Sequence, residues 1–280
     1  MKKLFYTLAI AIITLMGVSC DRTSEIKVMS YNIRLITNAD GDNHWDKRKH
    51  ASINMINEER PTVFGLQEAV KAQVDYLQEN LPEYAYYGIG RDDGKEKGEF
   101  MAIFYLKDEV EMLDHGTFWI SETPDTPSKG WDSACYRTCT WAVFKVKNSG
   151  KKFVHLNTHL DHRGWTARKE GVKMVVAKAE ELAGDKLPVF ATADWNASLK
   201  YDMFEPILEA MYDARAMAPD TDDRSTINNW QHGREYQENL YIDHIFFRNA
   251  EAMTFKVLRD KGYGAEFISD HYPVVMTAKF

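Results

Sequence analysis

Apolar, strand-like segments that end in polar side chains are the feature of this sequence that most constrains its fold. The side chains at these ends are acids, amides and histidines, and they recur from the first segment to the last. The set comprises Asn32, Glu68, His159, Asp194, Asn196, Asp243, Asp270 and His271. Carboxylates can hold a hard cation or activate water, and imidazoles can transfer protons. The sequence therefore predicts a fold in which distant strand ends meet at one metal-assisted hydrolytic site.

Strand-like segments outnumber helical ones, and many follow one another directly. Apolar runs predict strands at 26–33, 62–68, 101–106, 138–146, 153–160, 187–194, 242–247, 253–258 and 274–280. Helical spacing predicts helices at 45–59, 165–183 and 202–211, and one that ends near residue 79. A doubly wound parallel sheet needs a crossover helix between neighbouring strands. An α/β fold of two mixed sheets packed face to face, with helices outside, therefore agrees better with the sequence.

The first twenty residues have the pattern of a secretion signal. Two lysines precede an apolar stretch over residues 4–18, which is too short to span a bilayer, and small residues lead to Cys20. The pattern resembles a bacterial lipoprotein signal, and an ordinary secretion signal cut nearby is the alternative. We expect residues 1–20 to be the signal peptide, Cys20 to carry the lipid, and the protein to lie in the cell envelope. Because no linker or repeat interrupts residues 21–280, we expect them to form one domain.

The charge of the chain bears on its partners. The formal net charge is −7 and the isoelectric point is about 5.7. Proteins that grip long duplex DNA by neutralising its phosphates are usually basic. The charge therefore argues against a dedicated genomic DNA-binding protein, although it does not exclude a nuclease that uses a metal and a few arginines.

Cys135 and Cys139 are the two cysteines that follow Cys20. If their segment is one strand, their Cα atoms lie roughly 13 Å apart, beyond the limit of about 7 Å for a disulfide. The sequence thus predicts two free thiols on the same strand face.

Side-chain alternation along two predicted strands groups several polar residues. On the strand that reaches Asp194, that residue and Asn196 fall on one face. On the preceding strand, His155, Asn157 and His159 form one face. Such a polar row must reach water, a ligand or hydrogen-bond partners, so the alternative to a reactive site is a polar network between the sheets.

Six short blocks occur in a fixed order: SYNIR at 30–34, LQE at 66–68, NTHL at 157–160, ADWN at 193–196, IDH at 242–244 and SDH at 269–271. Together they resemble the signature blocks of the endonuclease/exonuclease/phosphatase family, which includes DNase I, inositol-phosphate phosphatases and bacterial sphingomyelinases. The resemblance implies a DNase I-like four-layer sandwich of two mixed β-sheets flanked by helices, in one catalytic domain over residues 21–280.

The resemblance also implies a metal site. Glu68 would be the main ligand of Mg²⁺ or Mn²⁺, Asn32 would assist it, and Asp270 would contribute directly or through water. These oxygen ligands suit a hard cation. Some members of the family have an acid where this chain has Arg34, so the number of metal ions stays open.

The catalytic roles that the resemblance implies fall on six residues. His271 would be the catalytic imidazole, Asp243 would hold it, and Asp194 would orient or deprotonate the attacking water. The other three residues would contact the phosphate: Asn196, His159 and Arg137. A surface salt bridge is the alternative for Arg137. Such positioning and electrostatic roles dominate phosphoryl transfer.

Residues beside the motifs are predicted to have other roles. His155, His162 and His244 are predicted to be structural. The polar segment 91–99 is predicted to be a loop near the active face, where loops commonly set substrate choice.

The function expected from the sequence is metal-dependent hydrolysis of a phosphoester, with a phosphodiester preferred. The substrate class stays open among nucleic acid, phospholipid head group, inositol phosphate and phosphoglycan. Two alternatives remain: a phosphomonoesterase acting on inositol or sugar phosphates, and a catalytically silent surface binding module on the same scaffold. No protein partner is evident, and the lipid at Cys20 would attach the chain to a membrane.

Overall fold

The computed structural model describes residues 23–233 and 240–280, so the predicted signal peptide and Cys20 lie outside the described residues. In chain order, strands β1 to β14 are Glu25–Asn32, Val63–Gln67, Ala69–Val70, Tyr84–Tyr87, Glu99–Phe100, Ile103–Leu106, Val110–Trp119, Thr138–Val146, Lys152–His159, Val189–Asp194, Tyr212–Asp213, Asp243–Arg248, Glu251–Val257 and Val274–Lys279. Helices α1 to α5 are Trp45–Glu59, Lys71–Asn80, Trp165–Ala183, Glu205–Ala210 and Ala214–Met217, and short 3-10 helices span Asn38–Asn43 and Asp202–Phe204. No helix in these two ranges is both long and apolar enough to cross a bilayer.

Two six-stranded mixed sheets form the centre of the fold. The first has the strand order β13-β14-β1-β2-β6-β4, and the second has the order β11-β12-β10-β9-β8-β7. Each contains one parallel pair, β1 with β2 and β10 with β9, and its other pairs are antiparallel. Strands β3 and β5 form a separate two-stranded antiparallel sheet. The prediction of two mixed sheets is confirmed.

Three apolar clusters fill the spaces between four layers. One packs α1 and α2 on the outer face of the first sheet, and another packs α3 and α4 on the outer face of the second sheet. The third lies between the sheets and contains Val28 and Val63 from the first and Phe153 and Phe190 from the second. Because the helices cover both outer faces, the strands are buried on both sides. The prediction of a four-layer α/β sandwich is confirmed.

Side-chain alternation decides which residues point between the sheets. On β1, Met29 and Tyr31 belong to the cluster under the helices, whereas Val28 belongs to the cluster between the sheets. Asn32 shares the parity of Val28, and Asp194 shares the parity of Phe190 on β10. The layer between the sheets is therefore apolar in its middle and ends in polar side chains.

A buried polar network joins the sheets just below that polar end. Asn157 Nδ2 donates to the carbonyl of Leu66 at 2.8 Å, and Asn157 Oδ1 accepts from Gln67 Nε2 at 2.7 Å. Thr192 Oγ1 lies 3.0 Å from Asn157 Oδ1. The close approach depends on Gly65, because a Cβ there would lie 2.3 Å from Asn157 Oδ1. These contacts fix the distance between the sheets by hydrogen bonds as well as by apolar packing.

Some predicted elements differ from the structure. The strands and α-helices that were not predicted are β3, β4, β5, β7, β11 and α5. The predicted helix over residues 202–211 consists of a 3-10 turn followed by α4. Cys135 lies in a bend before β8, whereas Cys139 lies within β8, so the prediction of one shared strand face is wrong. Both are free thiols, as predicted.

Candidate active site

The predicted site residues meet at one end of the sandwich. The carboxyl ends of β1, β2, β9 and β10 lie there, together with the segments that lead into β12 and β14. They surround a pocket of about 330 Å³, called the active-site pocket below. Seven of the predicted residues line it: Glu68, Arg137, His159, Asp194, Asn196, Asp270 and His271. Asn32 and Asp243 lie behind this lining and bond to residues in it. A larger cleft of about 500 Å³ contains Glu25, at the opposite end of β1, and none of the predicted site residues.

His271 and Asp243 form a buried pair. His271 Nδ1 donates to Asp243 Oδ2 at 2.9 Å, and Nε2 of the same ring lies 3.8 Å from Asp194 Oδ2. Burial by itself would lower the pKa of His271, but the carboxylates of Asp243 and Asp194 raise this pKa well above its ordinary value. The imidazole is thus held in one orientation and stabilised in its protonated form.

Asp194 and Asn32 connect the ends of the two sheets. Asp194 Oδ2 accepts from Asn32 Nδ2 at 2.9 Å, and Asp194 Oδ1 accepts from the backbone N–H of Asn196 at 2.9 Å. Asn32 Nδ2 also lies 3.2 Å from Glu68 Oε1. The Asn32 amide therefore bridges one carboxylate from each sheet.

Glu68 follows β2 directly and has a left-handed backbone with a φ of 61°. This conformation is uncommon for a residue with a side chain, and such strain is concentrated at functional sites. It ends the pairing of β2 at Gln67 and turns the Glu68 carboxylate into the pocket. There Oε2 accepts from the backbone N–H of Leu35 at 3.2 Å.

Arg34 occupies the position where some family members have an acid. Its guanidinium makes two hydrogen bonds to Asp40, at 2.9 and 3.1 Å. Its Nη1 lies 3.8 Å from Glu68 Oε2 and 3.7 Å from Asp270 Oδ2. Burial raises the pKa of Asp270, and the nearby Glu68 carboxylate adds to this rise. Arg34 is one positive charge beside three carboxylates, those of Asp40, Glu68 and Asp270, so it offsets only part of the negative charge at this side of the pocket.

His159 and Asn196 are held in a defined hydrogen-bond arrangement. Asn196 Nδ2 donates to the carbonyl of Leu160 at 2.9 Å, which fixes the orientation of the amide. The same nitrogen lies 2.9 Å from His159 Nε2, which must accept, so the ring's proton is on Nδ1. Burial, with a contribution from Arg137, lowers the pKa of His159 to about 3. His159 is thus a neutral imidazole, and Nδ1 has no hydrogen-bond partner among the described residues.

The alternation argument for Asn196 holds only in part. Strand β10 ends at Asp194, and Asn196 lies beyond it with a left-handed φ of 52°. Asn196 lines the pocket because the chain turns there, and strand alternation does not extend to it.

Besides Arg34, the pocket is lined by further side chains that were not predicted as site residues, among them Arg91, Glu99, Cys135 and His162. Arg91 and Glu99 are the first and last residues of the polar segment 91–99. Both line the pocket, in agreement with the prediction that this loop lies near the active face. Glu99 Oε2 accepts from Arg91 Nη1 at 2.5 Å and lies 3.7 Å from His159 Nδ1. His162, predicted to be structural, lines the pocket and accepts from Arg137 Nη2 at 3.1 Å. Its position two residues after the NTHL block is the available signal.

The donor set of the pocket suits a divalent cation. Ligand atoms of Glu68, His159 and Asp194 lie within 4.8 Å of one another, as do those of Asp194, Asp243 and His271. Asp270 belongs to neither group, although Arg34 lies beside both it and Glu68. Carboxylate oxygens grouped in this way are the ligands that Mg²⁺ or Mn²⁺ prefers.

Comparison with known proteins gives consistent matches along the chain. The model of the endonuclease/exonuclease/phosphatase family matches residues 29–271. A crystal structure of a family protein from Bacteroides thetaiotaomicron is 34% identical, with a TM-score of 0.87 over 92% of this chain and 96% of that one. A mannosyl-6-phosphatase from the same organism is 35% identical, with a TM-score of 0.85 over 91% of this chain and 100% of that one. An uncharacterised protein of Acanthamoeba polyphaga mimivirus is 27% identical in an alignment 248 residues long that covers 83% of this chain and 91% of that protein.

Proposed function

Because this chain belongs to the endonuclease/exonuclease/phosphatase family, we propose that it is a divalent-metal-dependent phosphoester hydrolase that reacts in the active-site pocket. Membership in the family implies phosphoester hydrolysis. The observation that carries the proposal is the convergence of Glu68, His159, Asp194 and the His271–Asp243 pair at one pocket. A silent binding module would have no use for a buried, oriented imidazole beside two carboxylates.

Glu68 would be the principal ligand of the cation, with Asn32 and Asp270 beside it. When bound, a divalent cation would neutralise charge on the phosphate and polarise its oxygens. Arg34 would keep Glu68 and Asp270 close to each other, because its Nη1 lies between their carboxylates. The leftover negative charge, which burial makes costly, supports the proposal that this side of the pocket takes up a cation.

The opposite side of the pocket would bind the phosphate. His159 offers the Nδ1 proton of a neutral imidazole, and Arg137 offers Nη1, which is buried and has no hydrogen-bond partner among the described residues. Asn196 orients His159 through its Nε2. Unpaired buried donors are costly, so their presence here supports a role in binding the nonbridging oxygens of a phosphate, where charge builds during the reaction.

Asp194 and His271 would handle protons. Asp194 would orient the attacking water and accept its proton, since its Oδ2 lies beside both Asn32 and the His271 ring. His271 would donate a proton to the leaving oxygen, and Asp243 would stabilise the protonated ring through the 2.9 Å hydrogen bond. The two groups that would handle protons are therefore neighbours, with His271 Nε2 3.8 Å from Asp194 Oδ2.

The substrate that we propose first is a sugar phosphomonoester. Three arginines, Arg34, Arg91 and Arg137, line the pocket, and a monoester carries more negative charge than a diester at neutral pH. The volume of about 330 Å³ is at the lower end for small-molecule sites. Similarity to the mannosyl-6-phosphatase supports this choice. The phosphodiester preferred from the sequence becomes the second candidate.

A substrate comparison tests the proposal. Turnover of mannose 6-phosphate, para-nitrophenyl phosphate and its bis ester should be measured with Mg²⁺ and with a chelator, on the wild type and on His271→Ala. We expect monoester turnover that both the chelator and the substitution abolish. Activity that survives both changes would refute the mechanism. Turnover confined to the bis ester would select the second candidate, and no turnover on a wider phosphoester panel would favour the binding module.

We also propose that the chain is a lipoprotein of the cell envelope, anchored through Cys20, and that residues 21–280 form one catalytic domain. Support for the anchor comes from the sequence pattern of residues 1–20 alone.

A further inference from the structure

Asp161, which the function proposed above does not use, is the most heavily hydrogen-bonded carboxylate near the pocket. Its side chain is buried, with an exposure of 1%. Six donors surround it. Oδ1 accepts from the backbone N–H groups of Arg163 and Gly164 at 2.9 and 2.7 Å. Oδ2 accepts from the Ser133 hydroxyl, the backbone N–H groups of Ala134 and Cys135, and Arg137 Nε, at 3.0 to 3.4 Å.

These bonds join two separate segments of the chain. Residues 133–137 lead into β8, and residues 161–164 connect β9 to α3. Burial alone would raise the pKa of Asp161, but the backbone N–H groups of Gly164, Arg163 and Ala134 outweigh burial and hold the pKa well below its usual range. The carboxylate is therefore charged at neutral pH and fixes both segments against each other.

The three nitrogens of the Arg137 guanidinium have three different surroundings. Nε donates to Asp161 Oδ2 at 3.4 Å, and Nη2 donates to His162 Nδ1 at 3.1 Å. Nη1 is buried and has no hydrogen-bond partner among the described residues. Arg137 and His162 both line the active-site pocket. The two acceptors thus fix the plane of the guanidinium and leave one N–H edge for a ligand.

We propose that Asp161 and His162 are positioning residues that hold Arg137 so that its Nη1 binds a phosphate oxygen of the substrate. A guanidinium on a long, flexible side chain loses conformational entropy when it binds an anion. The buried Asp161 carboxylate and the exposed His162 imidazole restrict that freedom before the substrate arrives, which is preorganisation. The inference rests on the proposed function for the identity of the anion as a phosphate.

Asp161 and His162 could instead be considered part of a metal site with Cys135, because ligand atoms of these three residues lie within 4.8 Å of one another. The hydrogen bonds argue against this. Both oxygens of Asp161 are already occupied by six donors, and Nδ1 of His162 accepts from Arg137. A cation there would also face the guanidinium. The cluster therefore fits an anion-binding arginine better than a metal.

The affinity for inorganic phosphate tests the proposal directly. It should be measured by titration calorimetry in buffer with Mg²⁺, and as competitive inhibition of turnover. Asp161→Asn places an amide NH₂ among six donors, and His162→Phe removes the acceptor for Nη2. We expect each to weaken phosphate binding roughly tenfold to a hundredfold, the range for hydrogen bonds to a charged group. Should Asp161→Asn fail to fold, His162→Phe still tests the proposal.

Asp132→Asn is the matched control. Asp132 is also a carboxylate near the start of α3, where it accepts from the backbone N–H groups of Thr166 and Ala167. It makes no contact with Arg137 among the hydrogen bonds and ion pairs of the described residues. Its substitution should lower thermal stability without changing phosphate affinity. If Asp132→Asn weakens phosphate binding as much as Asp161→Asn, a general structural effect explains the result and the proposal is wrong.

A double-mutant cycle separates positioning from mere stabilisation. In an Arg137→Gln background, His162→Phe should cause no further loss of phosphate affinity, because it acts through Arg137. If the losses of phosphate affinity caused by the two substitutions simply add in the double variant, the proposal is wrong. It is also wrong if the wild type does not bind phosphate. If the wild type binds phosphate and shows the coupling but hydrolyses no phosphoester, the positioning stands and the proposed function fails.

Discussion

His155 makes the stability of this protein sensitive to acid, and the structure gives the size of the effect. The side chain is fully buried between the sheets, where Nε2 lies 2.9 Å from Thr192 Oγ1. Its other nitrogen, Nδ1, is buried without a hydrogen-bond partner among the described residues. Burial lowers the pKa of His155 from 6.5 to about 3. The perturbation we consider is His155→Gln, which keeps a polar atom near Thr192 but cannot be protonated.

The sign and magnitude of the effect of pH on the free energy of unfolding follow from proton linkage. Below pH 6.5 the unfolded chain binds a proton at His155, and the folded chain does not until about pH 3. Stability therefore falls as the pH falls between these values, by about 1.4 kcal/mol per pH unit. Between about pH 7.5 and pH 4.5, His155 alone should lower the free energy of unfolding by about 3 kcal/mol. His155→Gln should not lose this stability, because glutamine is not protonated in this pH range.

Urea unfolding, followed by the fluorescence of the seven tryptophans, measures the effect. The fall in unfolding free energy between the two pH values should be about 3 kcal/mol smaller in His155→Gln than in the wild type. His159 titrates in the same direction, but both proteins contain it, so its effect cancels. His232→Gln, which changes a mostly exposed side chain, is the control. Equal pH dependence in the wild type and His155→Gln would refute the reasoning.

Three further predictions concern the sheets, the catalytic pair and the anchor. Gly65→Ala brings a Cβ to 2.3 Å from Asn157 Oδ1. Thermal unfolding should therefore show that the free energy of unfolding falls by about 1–3 kcal/mol, and an unchanged melting temperature would contradict this. Asp243→Asn removes the charge that supports protonated His271, so kcat should fall roughly a hundredfold or more with little change in KM; unaltered kcat would exclude the pair from catalysis. Cys20→Ser should release the protein from membranes on cell fractionation, and a variant that stays in the membrane fraction as the wild type does would contradict the anchor.

Much of the fold was predictable because local pattern and global packing agree. The strands that carry the blocks are apolar on the face toward the helices and end in polar residues on the face between the sheets, as β1 shows with Tyr31 and Asn32. Alternation alone places such residues on the inner face. Because many successive strands follow one another without an intervening helix, a doubly wound sheet is disfavoured. The family resemblance drew on the same blocks, and the family match confirms it.

Other features of the site depend on contacts that a single sequence does not reveal. Asp161 has an ordinary position after a strand, and four of its six hydrogen bonds arise only when residues 133–137 pack against it. Arg91 and Glu99 reach the pocket because β5 pairs with β3 directly after Glu68. The left-handed backbone of Glu68 itself is a tertiary constraint, since local propensity disfavours it.

Strand β7, which the sequence pattern did not predict, has a similar explanation. Strand β7 is an edge strand with many exposed positions, and it includes charged residues at Glu111 and Asp114. Edge strands often carry charges, which discourage pairing with other chains, and this weakens the apolar alternation from which strands are predicted. Its ten residues are ordered by pairing with β8. The polar sequence alone does not indicate this.

The location of a bound divalent ion tests the central claim most directly, namely that residues from the first strand to the last converge around one cation. Crystals soaked in Mn²⁺ should be measured at a wavelength where manganese scatters anomalously. We expect an anomalous peak in the active-site pocket at bonding distance from the Glu68 carboxylate, and its loss in crystals of Glu68→Gln. A peak that lies elsewhere, or one that persists unchanged in Glu68→Gln, would contradict the account.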